Sequence, residues 1–231
     1  MKNMKRIALV VAITLLLGCA IGGTLAWLTD STTDVKNEFY ISTIGVDLKE
    51  HTYDAENGIL KDETTESGVS NYKMVPGWTI PKDPEAWITD GSEAAYLFVE
   101  VKESENFDKF MTYAIADGWI LLTDNTKTGS NIVTDGTAPD SYVIYREVAK
   151  GVTASAMDTA DKTFAILAGD KVTVKGGVTK EMMTAVDFTN PTLTFKAYAS
   201  QLYKNATDKF DAAEAWHNIS DPSDTVDYST P

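Results

Sequence analysis

Two histidines, His51 and His217, and several groups of carboxylates are the side chains of this 231-residue chain that could do chemistry. An imidazole can move a proton near neutral pH or bind a metal. The two histidines are far apart in sequence, and neither belongs to an H-E-x-x-H run, where two imidazoles one helical turn apart would hold zinc. His217, next to Trp216, reads as a partly buried residue near a helix end. Asp54 with Glu56, Asp62 with Glu63 and Glu66, and Asp158 with Asp161 could surround calcium in a loop. None has the calcium-loop spacing with its central glycine, so a solvated acidic face accounts for them. There is no G-x-S-x-G elbow and no glycine-rich phosphate loop, and nothing points to a Ser/His/Asp triad. These residue types predict a chain that is not an enzyme, with no catalytic residues, no cofactor and no metal.

Among the five tryptophans, Trp78 and Trp87 stand out because they lie on a proline-rich stretch between strands. As an exposed pair they would make a platform for carbohydrate or a partner. As core residues they would pack over a sheet edge. The other aromatics are scattered along strands, as inter-sheet packing requires. Asn205-Ala206-Thr207 and Asn218-Ile219-Ser220 fit the glycosylation pattern, which carries no meaning behind a bacterial-looking export signal.

That signal is Met1 to Ala26. Lys2, Lys5 and Arg6 form a positive head, and Ile7 to Leu17 is an apolar run broken only by Thr14. It is shorter than the roughly 20 apolar residues of a transmembrane helix, so it reads as a secretory signal rather than an uncleaved anchor. Gly18, Gly22 and Gly23 loosen the chain before the cut, and Thr24 and Ala26 fill the two small-residue positions. Cleavage is expected after Ala26 or one residue later, at Trp27. Leu16-Leu17-Gly18-Cys19 offers a second route, acylation of Cys19, against a reading of Cys19 as one more small apolar residue.

Removing the signal takes away three of the 20 basic residues and leaves 17 against 34 acidic ones, a formal charge of −17. Such a chain repels nucleic acid and anionic headgroups, so neither is an expected partner, and membrane contact is confined to the uncleaved signal. Cys19 is the single cysteine, so the product has no disulfide, and about 205 residues can bury a core without one.

From residue 39 the pattern is that of strands. Phe39 to Leu48 alternates, with a phase slip at Thr43. His51 to Ser70 reads as a charged loop in which Asn57-Gly58 signals a turn that two short strands could flank. Lys73 to Asp90, with Pro76, Pro81 and Pro84, reads as an edge or crossing segment rather than a central strand. Ala94 to Glu103 is the clearest strand, with Tyr96, Phe98 and Glu100 on one face and Leu97, Val99 and Val101 on the other. Phe107 to Ala116 has helical spacing. Gly118 to Thr123, Ser141 to Val148, Thr163 to Leu167, Val172 to Lys175, Val178 to Met183 and Pro191 to Tyr203 complete the strands, and Asp208 to His217 is a short helix. Many short strands with Gly, Pro and Asn/Asp turns predict a mostly β, antiparallel sandwich with a few short helices. The expected organisation is signal 1–26, mature N-terminal segment 27–38, sandwich 39–217 and polar tail 218–231.

One stretch carries a family resemblance. Gly23, Thr24, Ala26, Trp27, Thr29 and Asp30, then Asn37, Phe39, Gly45, Val46 and Leu48, are similar to the signal end and first strand of the TasA/camelysin family of Gram-positive bacteria. Pro76-Gly77 and Gly91-Ser92 resemble its next two turns. The likeness is specific over about thirty residues, loose over the next fifty and merely compatible beyond Glu103. It implies a jelly-roll sandwich, export through a dedicated type I signal peptidase (SipW-like), and a secreted subunit of biofilm-matrix fibres. It also implies that the mature N-terminus of one copy completes a sheet of the next, for which Trp27, Leu28, Val35 and Phe39 are the expected donor residues. Camelysin has also been described as a metalloprotease, for which this sequence offers no zinc motif. A monomeric secreted binding module built on Trp78 and Trp87 is the alternative from another class.

Overall fold

The computed structural model describes residues 43–65, 72–132 and 141–220. The chain divides into two units, Met1–Ile41 and Ser42–Pro231, and every described residue belongs to the second.

Among the described residues, twelve strands form three antiparallel sheets. The largest centres on β5 (Ala95–Glu103), which pairs residue for residue with β12 (Leu193–Gln201) on one side and with β9 (Ser141–Val148) on the other. Beyond β9 lie β7 (Ile120–Leu121) and β8 (Asp124–Thr128). The period of two gives β5 two apolar faces, as its sequence predicts. Ala95, Leu97, Val99 and Val101 are buried in the main core, whereas Tyr96 and Phe98 are buried in a second cluster on the opposite face. That second face is covered by α3 (Ala212–Ser220), whose Trp216 ring lies 5.3 Å from Phe98 and 5.1 Å from Tyr198. The helix starts at Ala212 because Asp211 and Glu214 form a reciprocal cap. Asp211 Oδ1 accepts the Ala213 amide at 2.7 Å, and Glu214 Oε2 accepts the Asp211 amide at 3.0 Å. It runs to Ser220, three residues beyond the expected end of the body.

The second sheet has the order β10 (Phe164–Ala165), β4 (Glu85–Ile88), β1 (Val46–Asp54), β2 (Ile59–Thr65). The third has the order β3 (Thr79–Pro81), β11 (Lys171–Val174), β6 (Met111–Thr112). Ile88 of β4, Leu97 of β5, Ile144 of β9 and Val174 of β11 share one core, which makes the arrangement a sandwich around a common interior.

Several expectations need correction. The strand expected over Phe39–Leu48 begins at Val46 and continues through His51 to Asp54, and with β2 it supplies the two strands that could flank the Asn57-Gly58 turn. Residues 39–42 lie outside the described part. The turn after it is where Asn57-Gly58 signals one: Asp54 accepts the amides of Glu56 and Asn57 and the side-chain amide of Asn57, and Gly58 takes φ +72°. Pro81 does end an edge strand, but β4 is central, because Pro84 falls just before it and only its carbonyl joins the pairing, to Ile166. The helix expected over Phe107–Ala116 is one turn, α1 (Phe107–Phe110), after which Met111 pairs with Val174. Val178–Met183 is not a strand. Thr179 caps a single turn, α2 (Lys180–Met183), by accepting the Met182 amide. Only Ile120–Leu121 of GWILLT is strand, and the polar stretch after it holds β8, whose mostly exposed edge position leaves no apolar alternation to read.

Where the chain enters β1, backbones and side chains are close. A Cβ on Gly45 would lie 2.2 Å from Thr89 Oγ1, so a larger residue there would force the Thr89 side chain to move, and the Gly45 amide donates to Ser92 Oγ at 3.0 Å.

Candidate functional site

The residues expected at signal cleavage, Ala26 and Trp27, and the expected donor residues Trp27, Leu28, Val35 and Phe39 all lie outside the described residues. Among those that are described, the densest constellation of titratable groups surrounds His51.

Antiparallel register builds it. β1 pairs with β4 from Val46↔Ile88 to Lys49↔Glu85, and continuing that register brings His51 opposite Asp83. Pro84 cannot donate there, so the side chain of Asp83 replaces the ladder. Its Oδ1 accepts the His51 amide at 3.1 Å and its Oδ2 lies 2.7 Å from His51 Nδ1. The other ring nitrogen, Nε2, faces Asp158 Oδ2 at 3.5 Å. Asp158 belongs to the connection between β9 and β10, has φ 59°, and donates its amide to Glu85 Oε2 at 3.0 Å. The hydrogen bond to Asp83 holds the His51 pKa above the ordinary histidine value, against the opposing effect of burial, with further help from the charges of Asp83, Asp158 and Asp62. Asp170 completes the group. Partial burial, and then the carboxylates of Asp83, Glu85 and Asp158, push its own carboxyl up.

One residue earlier in each segment, on β1 and on the β3–β4 connection, an inner pair accompanies this outer one. Lys82 Nζ lies 2.5 Å from Glu50 Oε2, with side-chain exposures of only 10% and 13%. The Lys82 ammonium also sits over the rings of Tyr72 and Phe195, at 5.6 and 5.7 Å. A third polar group lies inside the sandwich: the Tyr113 hydroxyl donates to the buried Glu103 carboxylate and shares a 2.7 Å hydrogen bond with the Tyr142 hydroxyl. Burial raises the pKa of both phenols far above the usual range.

In chemical terms the His51 group favours a protonated imidazole rather than activating a nucleophile. Asp83 orients the imidazole as a catalytic carboxylate would, but the far nitrogen meets a second carboxylate where a hydroxyl or thiol would have to be. Among the described residues, no three His, Cys, Asp or Glu side chains come together to hold a metal ion. Asp54 has its carboxylate in the β1–β2 turn, where the Asn57 side chain and then the turn amides hold its pKa low. Of the predicted acidic clusters, Asp158 faces His51 directly and Asp62 acts on it through its charge. His217 lies on α3, partly buried as expected.

No family model matches the chain, and no curated protein or solved structure does. The site therefore rests on its own geometry.

The aromatic platform fails. Trp87 is wholly buried on β4, and Trp78, 64% exposed in the turn before β3, has no exposed tryptophan companion there. A groove of about 660 Å³ opens where β5, β9 and β12 meet the start of β1, lined by Ile44, Ala94, Leu202 and Tyr203. Its charges are already matched as Glu93 with Lys150 and Glu147 with Lys209, so it offers no net charge to a ligand.

The sequence reading missed Asp83, Glu85, Asp170 and the Glu50–Lys82 pair. Glu50-His51 and Lys82-Asp83 are neighbours of complementary charge, a signal legible only once the β1–β4 register is known.

Proposed function

We propose that the chain is a non-enzymatic, exported structural subunit that assembles with copies of itself into extracellular matrix fibres by strand addition. Its body in this reading is a jelly-roll sandwich, and a dedicated type I signal peptidase releases it at Ala26 or Trp27. The observation that carries the proposal is β12. Nine residues long and hydrogen-bonded to β5 along one side, it has no strand on its other side among the described residues. It contains no proline and a single lysine, Lys196, so it lacks most of the devices that blunt an edge. In this reading the mature N-terminal segment supplies the added strand, with Trp27, Leu28, Val35 and Phe39 as the apolar side chains of an otherwise polar stretch. Ordering about ten residues costs roughly 1–2 kcal/mol each in backbone entropy, offset by ladder hydrogen bonds and apolar burial.

Deletion of Trp27 to Lys36 from the exported protein, followed by electron microscopy, tests this reading. Loss of fibres is the expected result, and fibres of unchanged length would remove it. Blocking cleavage with Ala26→Pro, and with Trp27→Pro as a second block, is expected to leave membrane-bound monomer, whereas the purified mature protein polymerises alone.

A further inference from the structure

We propose that a proton on His51 latches the outer half of the β9–β10 connection, residues 155–162, onto the second sheet, and that losing this proton releases it. The connection is tied down in two different ways. Its first half is held by contacts that do not titrate near neutrality: the Ala154 amide donates to the Ile88 carbonyl at 3.0 Å, Ala154 bridges Thr89, and Thr153 Oγ1 donates to Asp90 at 2.8 Å. Thr153 and Ala154 are buried. The second half reaches the sheet through Asp158, which donates its amide to Glu85 and turns its carboxylate to His51 Nε2. Its remaining hydrogen bonds, such as Lys162 and Thr163 to the Thr159 carbonyl, are internal.

The imidazole decides the sign of that second contact. Protonated, it donates from Nδ1 to Asp83 and presents Nε2–H to Asp158. Neutral, it keeps one proton, which stays at Nδ1 because Asp83 is closest, at 2.7 Å. The Nε2 lone pair then faces the Asp158 carboxylate, and attraction becomes repulsion. The surroundings offer no substitute charge. Asp83 faces the ring from the β3–β4 connection, Asp158 from the β9–β10 connection, and Asp62 acts on it from β2. Glu85 and Asp170 add two more carboxylates beside them, and Lys82 is engaged with Glu50. The raised pKa of His51 agrees with this arrangement, since every charged group that acts on the ring favours its charged form.

The test is hydrogen exchange on the full chain at pH 5.5, 7.0 and 8.5, expressed as protection relative to intrinsic rates. Protection of the amides from Asp158 to Thr163 is expected to fall severalfold as pH rises, with a midpoint above 6.5, while Ala154 keeps its protection throughout. His51→Gln is expected to give the low level at every pH. Asp158→Asn, which leaves the His51–Asp83 pair intact, is expected to remove the step as well. Equal protection of residues 158–163 at pH 5.5 and 8.5 would overturn the proposal. So would a step that survives in either variant, or one that Ala154 shares in full.

Discussion

The five-stranded sheet and the junction around His51 hold the same molecule together by different physics. At β5 the ladder is unbroken on both sides, and successive side chains are buried alternately in the main core and under α3. At the junction the β1–β4 ladder stops at Lys49↔Glu85, and pairs of charges take over: Glu50 with Lys82 inside, His51 with Asp83 outside. Buried area works at any pH and tolerates no loss of volume. Paired charges specify partners closely but depend on both members and, for His51, on a proton. The first region should therefore respond to lost volume and the second to lost charge.

The largest effect is expected in the first region. Phe98 is wholly buried between Tyr96, Tyr145 and Trp216, and Phe98→Ala should cost about 4 kcal/mol in urea unfolding, by about the same amount at pH 6 and pH 8. At the junction, Lys82→Met leaves Glu50 as a nearly buried carboxylate without its cation, with an expected loss of about 3 kcal/mol. Adding Glu50→Leu should return most of it. If the double variant were as unstable as the single, the inner pair would be held by packing and the contrast between the regions would fail.

A smaller effect sharpens the contrast through pH. Asp83, and then Asp158, hold the folded-state pKa of His51 above 6.5, so its contribution to stability is whole below that value. The contribution disappears as pH rises through the folded-state value. The urea midpoint should fall between pH 6 and pH 9, and His51→Gln should flatten that slope, whereas Phe98→Ala should keep it. The smallest effect belongs to the rim of the groove. Lys150 and Glu93 lie 2.7 Å apart but are 69% and 44% exposed, so Lys150→Ala should change the stability by no more than about 0.5 kcal/mol.

The same contrast explains what the sequence made legible. Ala94 to Glu103 and Ser141 to Val148 could be read because burial on the pleat writes a period of two into the residues. The Asn57-Gly58 turn could be read because local hydrogen bonding needs those residue types, whereas the Asp211–Glu214 cap came only with the structure. By contrast, β8 is polar because its edge position is exposed, and Phe107–Phe110 has helical spacing for one turn before the backbone is taken into pairing with β11. The His51 group depends on register between β1 and β4 and on a loop more than a hundred residues downstream, and neither has a local signature. Trp87 was ambiguous for a related reason: proline neighbours suggested a periphery, but β4 starts after Pro84 and runs through the middle of its sheet.

The fit of Gly45 against Thr89 has a mechanical consequence. Any pull on the N-terminal part of the chain enters the second unit at this point and continues into β1. That strand lies between β4 and β2, hydrogen-bonded to both. Force along it shears two ladders together instead of peeling one bond at a time. The site of entry is pinned from the side by the Gly45 amide bond to Ser92 and by the Thr89 amide, which donates to the Gly45 carbonyl. Resistance to stretching is a rate property governed by the unfolding barrier, and for a pull applied along β1 that barrier would be set by a central strand.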